Sequence, residues 1–413
     1  MIGKKLEIFG AGSIGMLIAT RYKNYASDIK IYETSSYTGG VVKDFSNGSG
    51  EHYFLGCQYL LEKQIPTDLI NELNLIEFSH HYASITEQGN KHNYKLDFAG
   101  PAFDLDFTEH SQNNINWKNT NDKLQLYPNP IKLYLESFIN KVITTNPDQL
   151  HISSLTALGL NRVTSMTNDN ELLRIKNKNN LLDNLYGVSR NVRKEAYEVA
   201  YIPKEGYNSF WKNLGNILKN YSHLELFLQT RITSKYLSNF TSIPDTSLKL
   251  WCADPRYLVR HLKKIKLQSL NYSVCNFGLS VQSYVGPKLP FYINVFSTKT
   301  PFLRLFFYQT LSQVKLTIES IMENMSQQDI VYELNKILQD TNIELKINKN
   351  EMAAEKTKRY FPITNSDFRD IYDTFLDMKD DNWIDTGAYL YDRKSRFELI
   401  TSQLDNQMRV TGA

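Results

Sequence analysis

A glycine-rich turn close to the start of the chain constrains the fold more than any other feature of the sequence. Residues 6–9 form a short apolar run, and residues 10–15 follow it in the pattern G-x-G-x-x-G. The next residues repeat apolar side chains at helical spacing, and a second apolar run over residues 29–32 ends at the acidic Glu33. The order strand, glycine turn, helix, strand and acid is that of a dinucleotide-binding βαβ unit.

Each glycine of the turn has a physical role in such a unit. Gly10 permits the tight turn, Gly12 lets a pyrophosphate approach the main chain, and Gly15 lets the helix pack on the strand. The start of the helix offers N–H groups and partial positive charge to the phosphates. Glu33 is placed to accept hydrogen bonds from both ribose hydroxyls. The pattern therefore predicts a dinucleotide site, with a purely structural turn as the alternative.

A second pair of glycines favours FAD over NAD. After Glu33 the chain continues through a short polar stretch to Gly39 and Gly40. Large FAD proteins continue in this way past the ribose, because paired glycines let the chain pass close to the pyrophosphate and the flavin. Residues 47–59 follow, and they contain the tripeptide Gly56-Cys57-Gln58.

At this point the chain resembles the UDP-galactopyranose mutase family, within the wider amine-oxidase-like FAD superfamily. Where that family has a Gly-Pro-His stretch against the flavin, this chain has Gly56, Cys57 and Gln58. The resemblance runs from residue 6 to about 404, and further stretches keep its order: residues 127–131, 201–210, 360–363, 372 and 387–391.

The resemblance implies the cofactor and the chemistry. The flavin itself would be the catalyst through its N5 atom, so no catalytic side chain is expected. The family's FAD-binding positions fall here on Gly10, Gly12, Gly15, Glu33, Gly39, Gly40, Gly56 and Gln58.

The resemblance also implies a site for the diphosphate of a nucleotide sugar. Arginines suit this ligand because their planar fork pairs with phosphate in a bidentate way. The implied substrate residues are Arg304, Arg190, Arg193, Asn129, Tyr360, Tyr389 and Tyr391. One departure stands out, since Ile384 and Asp385 occupy the positions of a family Gly-Arg pair, and an aspartate there repels a diphosphate. Arg393 and Arg396 are candidates for the missing cation.

Three functions are compatible with these residues. The first is an FAD-dependent mutase that interconverts pyranose and furanose forms of a nucleotide sugar for surface polysaccharide biosynthesis. The second is an FAD-dependent oxidoreductase of the amine-oxidase type, acting on an amine, a sugar or another small molecule. The third is a flavoprotein without turnover.

The predicted fold class is α/β. A Rossmann-like FAD-binding domain is expected over residues 1–65, 200–265 and 350–413. Residues 66–199 are expected to form an inserted, mainly helical substrate region. Residues 266–349 alternate apolar and polar side chains, which predicts an antiparallel β-sheet substrate domain.

The composition of the chain limits the kinds of binding partner that are expected. No apolar run approaches the 18–20 residues or so of a membrane span, and no signal peptide is expected. The net charge is +3, from 47 basic and 44 acidic residues, which does not favour nucleic acid. The 3 cysteines lack metal spacing, so no metal site and a cytoplasmic location are expected. The remaining expected partners are a nucleotide sugar or other small-molecule substrate, NAD(P)H or another flavin reductant, and a second copy in a homodimer.

Overall fold

A five-stranded parallel sheet carries the glycine turn. Its strands are β1 (Lys5–Phe9), β2 (Asp28–Tyr32), β12 (Leu224–Phe227), β13 (Leu248–Trp251) and β19 (Trp383–Ile384). They lie side by side in the order β12-β2-β1-β13-β19, and every neighbouring pair is parallel. Ile8 and Ile31 are fully buried, as expected of parallel strands covered on both faces. The strands come from three distant parts of the sequence, so this half of the molecule, named the nucleotide-binding half after its predicted glycine turn, is discontinuous in the chain.

The computed structural model describes residues 4–79, 81–104, 117–166, 169–178, 180–188, 199–233, 246–267, 270–286, 289–310, 313–361, 364–378, 382–390 and 393–408. The main chain alone is described at 79, 169, 171, 175, 178, 270–272, 349–351 and 359–361.

A larger sheet of seven strands forms the second half. Its order is β18 (Glu344–Phe361), β14 (Leu270–Val285), β17 (Val314–Ser320), β16 (Phe302–Gln309), β15 (Tyr292–Val295), β7 (Tyr82–Gln88) and β8 (Lys91–Leu96). Neighbouring strands are antiparallel except for the parallel pair of β15 and β7. Helix α10 (Gln327–Leu338) covers one face through the buried Ile330 and Leu334.

The remaining elements are shorter. Small sheets are formed by β3 (Asp44–Ser46) with β4 (His52–Phe54), by β5 (Leu60–Leu61), β11 (Val199–Pro203) and β6 (Leu75–Ser79), and by β9 (Ala102–Phe103) with β10 (Thr164–Ser165). The helices are α1 (Ser13–Tyr22), α2 (Thr67–Glu72), α3 (Thr120–Leu124), α4 (Asn129–Val142), α5 (Ser153–Ala157), α6 (Asp169–Lys178), α7 (Asn180–Leu185), α8 (Tyr207–Lys219), α9 (Pro255–Lys263), α11 (Asn365–Met378) and α12 (Arg393–Met408). Single 3-10 turns lie at Glu62–Gln64 and Pro147–Gln149.

The predicted fold class is confirmed: an α/β nucleotide-binding half is joined to a mostly antiparallel sheet. The strands do not follow two of the predicted region boundaries. Five strands, β6 to β10, lie within residues 66–199, and β7 and β8 extend the large sheet, because β7 pairs with β15 far along the chain. Strand β18 also crosses the boundary drawn at residue 350, since its pairing with β14 continues to Phe361.

The two large sheets meet at a cluster of aromatic rings. Phe54, from the short hairpin of β3 and β4, stacks on Tyr308 of the large sheet with ring centroids 4.2 Å apart. The main-chain N–H of Phe54 also donates to the Tyr308 hydroxyl over 2.9 Å. Tyr207 and Phe306 pack into the same core cluster as the parallel sheet. This junction brings one face of the large sheet against the carboxyl ends of the parallel strands.

Within the described part of the chain, no helix combines the length and the apolar character that crossing a membrane requires.

Candidate functional site

The glycine turn leaves the start of helix α1 open to a ligand. Gly10 has φ of 110°, a conformation that favours glycine, and its N–H donates to the Tyr32 carbonyl over 2.8 Å. The residue before the helix, Gly12, gives no side-chain cap, and the first turn carries no acidic residue. The first N–H groups of a helix have no partner inside it, so this end of α1 can bind an anion.

Glu33 lies at the end of β2, beside the turn. Its carboxylate accepts hydrogen bonds from the N–H of Ala11 (2.8 Å), the N–H of Ser35 (2.8 Å) and the hydroxyl of Thr34 (3.2 Å). A carboxylate has about four acceptor positions, so capacity remains for a ribose hydroxyl. The three protein donors hold the carboxylate at the glycine turn.

The second glycine pair runs alongside the first. The N–H of Gly39 donates to the Ala11 carbonyl over 2.8 Å, and Gly39 and Gly12 form an isolated parallel bridge. A Cβ at Gly39 would overlap Trp211, and a Cβ at Gly40 would lie 3.2 Å from the Gly12 Cα. A Cβ at Gly12, in contrast, would meet no atom of the described residues within 4 Å. The space beside Gly12 is therefore a cradle that a side chain there would fill.

Helix α12 places a second helix start at the carboxyl edge of the parallel sheet, where the glycine turn lies. The Tyr22 hydroxyl, at the end of α1, donates to Asp405 near the end of α12 over 2.5 Å. Lys4, just before β1, donates to Gln407 over 3.3 Å. The ends of α1 and α12 therefore lie together at the amino edge of the sheet. Arg396, in the first turn of α12, donates to the Thr386 carbonyl just after β19 and lies near Cys252 just after β13, so this turn lies at the carboxyl edge of the sheet, as the glycine turn does.

Two buried polar atoms at this edge have no hydrogen-bond partner among the described residues: Nη1 of Arg393 and the hydroxyl of Tyr207. Burial lowers the pKa of Arg393, and the nearby Tyr207, Tyr59 and Cys57 oppose that shift. Burial also raises the pKa of Tyr207 far above its ordinary value, so its hydroxyl stays protonated. Two buried donors without a partner among the described residues thus lie near Cys57, within the tripeptide of residues 56–58.

That tripeptide forms a turn. Gly56 has φ of 78°, and the Gln58 side chain donates back to the Leu55 carbonyl over 3.4 Å. Cys57 is half-buried and packs against the core of the nucleotide-binding half. Of the predicted cofactor residues, Glu33, Gly39 and Gly40 therefore contact the glycine turn, whereas Gly56 and Gln58 lie in the turn after β4.

Arg304 lies on the large sheet, on the face that meets this edge. It lies on the same face of β16 as Phe306 and Tyr308, which pack into the core of the nucleotide-binding half. Its Nε donates to Asn294 over 2.9 Å, and its Nη1 lies 3.9 Å from Glu319. Its guanidinium carbon is 5.8 Å from the ring centre of Tyr292, whose own surroundings include Tyr59. The strand thus directs a cation towards residues 56–59.

The other predicted substrate residues are more scattered. Tyr389 is buried, and its hydroxyl donates to Asp385 over 2.7 Å, while Asp385 also accepts from the N–H of Gly387. Asn129 is the exposed first residue of α4, in the helical region. The main chain of Tyr360, in β18, pairs with that of Asn271 in β14. Arg190, Arg193 and Tyr391 lie outside the described residues.

One residue of the candidate site, Tyr207, was not predicted as a ligand from the sequence. Tyr207 stands within the Ile-Pro-x-x-Gly-Tyr stretch, so its position carried a signal. Arg393 was considered as a replacement for the missing cation, but its burial beside Tyr207 depends on the packing of α12. The described residues contain no group of three or more His, Cys, Asp or Glu that could hold a metal ion.

Comparisons with known proteins identify the fold. No protein-family model and no curated protein matches the chain. Among solved structures, a reduced UDP-galactopyranose mutase is similar with a TM-score of 0.62 at 12% identity, covering 99% of this chain and 94% of the other. A protein from Exiguobacterium sp. 255-15, provisionally assigned as a protoporphyrinogen oxidase, is similar with a TM-score of 0.55 at 13% identity, covering 98% and 99%. The chain therefore has the fold of these two solved structures.

Proposed function

We propose that the chain binds FAD. The observation that carries the proposal is the open space beside Gly12, at an uncapped helix start that carries no acidic residue. Glu33 would bind the adenosine ribose, and the first turn of α1 would bind the pyrophosphate. The flavin ring would then extend towards residues 56–58, where the buried Tyr207 hydroxyl and Arg393 Nη1 have no partner among the described residues. The predicted FAD-binding residues fit this arrangement.

We propose further that the chain is an FAD-dependent enzyme that interconverts pyranose and furanose forms of a nucleotide sugar. Bound FAD would supply the nucleophile, the N5 nitrogen of its reduced ring. The support comes from Arg304, which projects from the large sheet towards the proposed ring site, and from a fold similar to a UDP-galactopyranose mutase.

In this proposal the chain's own residues bind and orient the substrate. Arg304 would neutralise the diphosphate, and the hydrogen bond from its Nε to Asn294 would hold the guanidinium in place. Tyr292 offers an aromatic face beside that cation. Arg190, Arg193, Asn129, Tyr360 and Tyr391 remain proposed substrate residues. Tyr389 would have to exchange its bond to Asp385 to reach a phosphate.

An FAD-dependent oxidoreductase is the second candidate, and two observations favour it. Asp385 stands where a diphosphate would need a cation, and it holds the Tyr389 hydroxyl. The buried Glu319 lies 3.9 Å from Arg304 and offsets part of its charge. A neutral or cationic small molecule fits these carboxylates better than a diphosphate does.

One experiment separates the two functions. Purified protein reconstituted with FAD is incubated with UDP-galactopyranose, once oxidised and once reduced with dithionite, and the products are separated by chromatography. The mutase proposal expects a furanose product from the reduced protein only, because oxidised N5 is not a nucleophile. Turnover of amines or sugars by the oxidised protein with release of peroxide, and no furanose, would replace it with the oxidoreductase. Gly12→Val is the control without cofactor.

A further inference from the structure

Arg393 is a half-buried, charged residue at the start of α12. Arginine keeps its proton in proteins, so it cannot escape the cost of burial by becoming neutral. Its Nη1 is shielded from solvent and has no hydrogen-bond partner among the described residues. A buried charged group without a partner loses its hydration without compensation, which destabilises the protein. An acceptor that carries negative charge, fully or in part, would remove this cost.

The surroundings of Arg393 limit what this acceptor can be. Tyr207, Tyr59 and Cys57 lie close enough to act on the guanidinium electrostatically. Tyr207 adds a second buried donor without a described partner, and the first turn of α12 adds the positive end of a helix dipole. These groups belong to the nucleotide-binding half, whereas Arg304 lies on the large sheet. The acceptor is therefore a group that rests against the nucleotide-binding half beside residues 56–58.

We infer that Arg393 binds the pyrimidine edge of the flavin ring and stabilises the negative charge that this edge gains when the ring is reduced. The inference rests on the proposed binding of FAD. The edge carries two carbonyl oxygens, which match the donors of Arg393 and Tyr207. Positive charge beside this edge favours the reduced ring over the oxidised ring, so Arg393 sets the cofactor's potential.

The test is a redox titration of the reconstituted protein against a reference dye. Arg393→Met removes the charge and keeps a long unbranched side chain. We expect the variant to bind reduced FAD at least about ten-fold less tightly, relative to oxidised FAD, than the wild type does. For a two-electron couple this corresponds to a potential about 30 mV lower. Arg393→Lys keeps the charge and is expected to retain most of the wild-type potential.

Lys394→Met is the matched control. Lys394 is the next residue of the same helix turn and is exposed. Its replacement removes one positive charge, as Arg393→Met does, but at a position that solvent screens. The reduction potential of FAD in Lys394→Met is expected to equal that in the wild type. Equal potentials in the wild type and Arg393→Met would overturn the inference, and so would equal decreases in Arg393→Met and Lys394→Met.

Two further outcomes have a defined meaning. If Arg393→Met does not fold, Arg393→Gln takes its place, because it retains N–H donors without the charge and must show the same decrease. A wild-type protein that binds no FAD refutes the proposed cofactor itself. A tenfold loss of UDP affinity in Arg393→Met with an unchanged potential would assign this arginine to the substrate diphosphate instead.

Discussion

Replacing Gly12 with valine separates cofactor binding from folding. Gly12 has φ of −66° and ψ of 177°, which any residue adopts, and an added Cβ meets no described atom within 4 Å. Valine reduces the conformational entropy of the unfolded chain relative to glycine, and this effect stabilises the fold by about 0.4–1 kcal/mol. A weaker helix cap costs about 0.5–2 kcal/mol. The two effects oppose each other, so the free energy of unfolding of the apoprotein should change by about 1 kcal/mol or less.

The same substitution should greatly weaken FAD binding. The valine side chain fills the space through which a pyrophosphate would approach the first turn of α1. Losing two main-chain hydrogen bonds to a charged phosphate, at about 1.5–3 kcal/mol each, removes about 3 kcal/mol or more. The dissociation constant of FAD should therefore rise at least about 100-fold.

The assay pairs a fluorescence titration of apoprotein with FAD and a urea unfolding curve of each apoprotein. Gly48→Val is the matched control, because Gly48 is exposed and its Cβ position is also open. It should leave both quantities unchanged. Wild-type FAD affinity in Gly12→Val would refute the assignment of this space to the pyrophosphate. Loss of folding in Gly12→Val would refute the structural argument instead.

Three further predictions follow from single side chains. Arg304→Ala should raise the dissociation constant of UDP about 10–100-fold with unchanged flavin content, and Arg304→Lys should restore the affinity partly. Arg260→Ala, on the exposed face of α9, is the control and should have no effect. Equal UDP affinities of the wild type and Arg304→Ala would remove Arg304 from the site. Tyr389→Phe should lower the free energy of unfolding by about 1 kcal/mol through the lost bond to Asp385, with UDP affinity unchanged; a large loss of affinity would show that the hydroxyl reaches the substrate. Burial lowers the pKa of His151 from 6.5 to about 4, so the unfolded chain binds the proton first and wild-type stability should fall as the pH drops from 6.5 to 4; denaturation curves of His151→Gln should show a weaker fall, and identical slopes would contradict this assignment.

Local patterns in the sequence predicted the nucleotide-binding elements well. The glycine turn, α1 and β2 lie within the first 33 residues, so their spacing alone specifies a strand, a turn and a helix. The acid at the end of β2 is held at the turn by the N–H of Ala11, as that spacing implies. Helix α10 was also predictable, because Ile330, Leu334 and Leu338 recur on one face and are buried.

Strands β7 and β8 were missed for a physical reason. They fall within a region whose other segments are mostly helical, and β8 has the polar sequence KHNYKL. Their burial comes from the parallel pairing of β7 with β15, which joins residues about 200 positions apart in the chain. No local pattern encodes such a pairing.

The sequence by itself predicted the dinucleotide site, because that site would be built from main-chain N–H groups and one acid that are close together in the chain. It did not determine which cations face the ligand. Arg393 lies near Tyr207 only because α12 packs beside α1, and Arg304 faces the same edge only because the large sheet packs on Phe54. The burial of the Arg393 Nη1 and its lack of a partner among the described residues give this arginine its chemical significance, and both are properties of packing that only the tertiary structure decides.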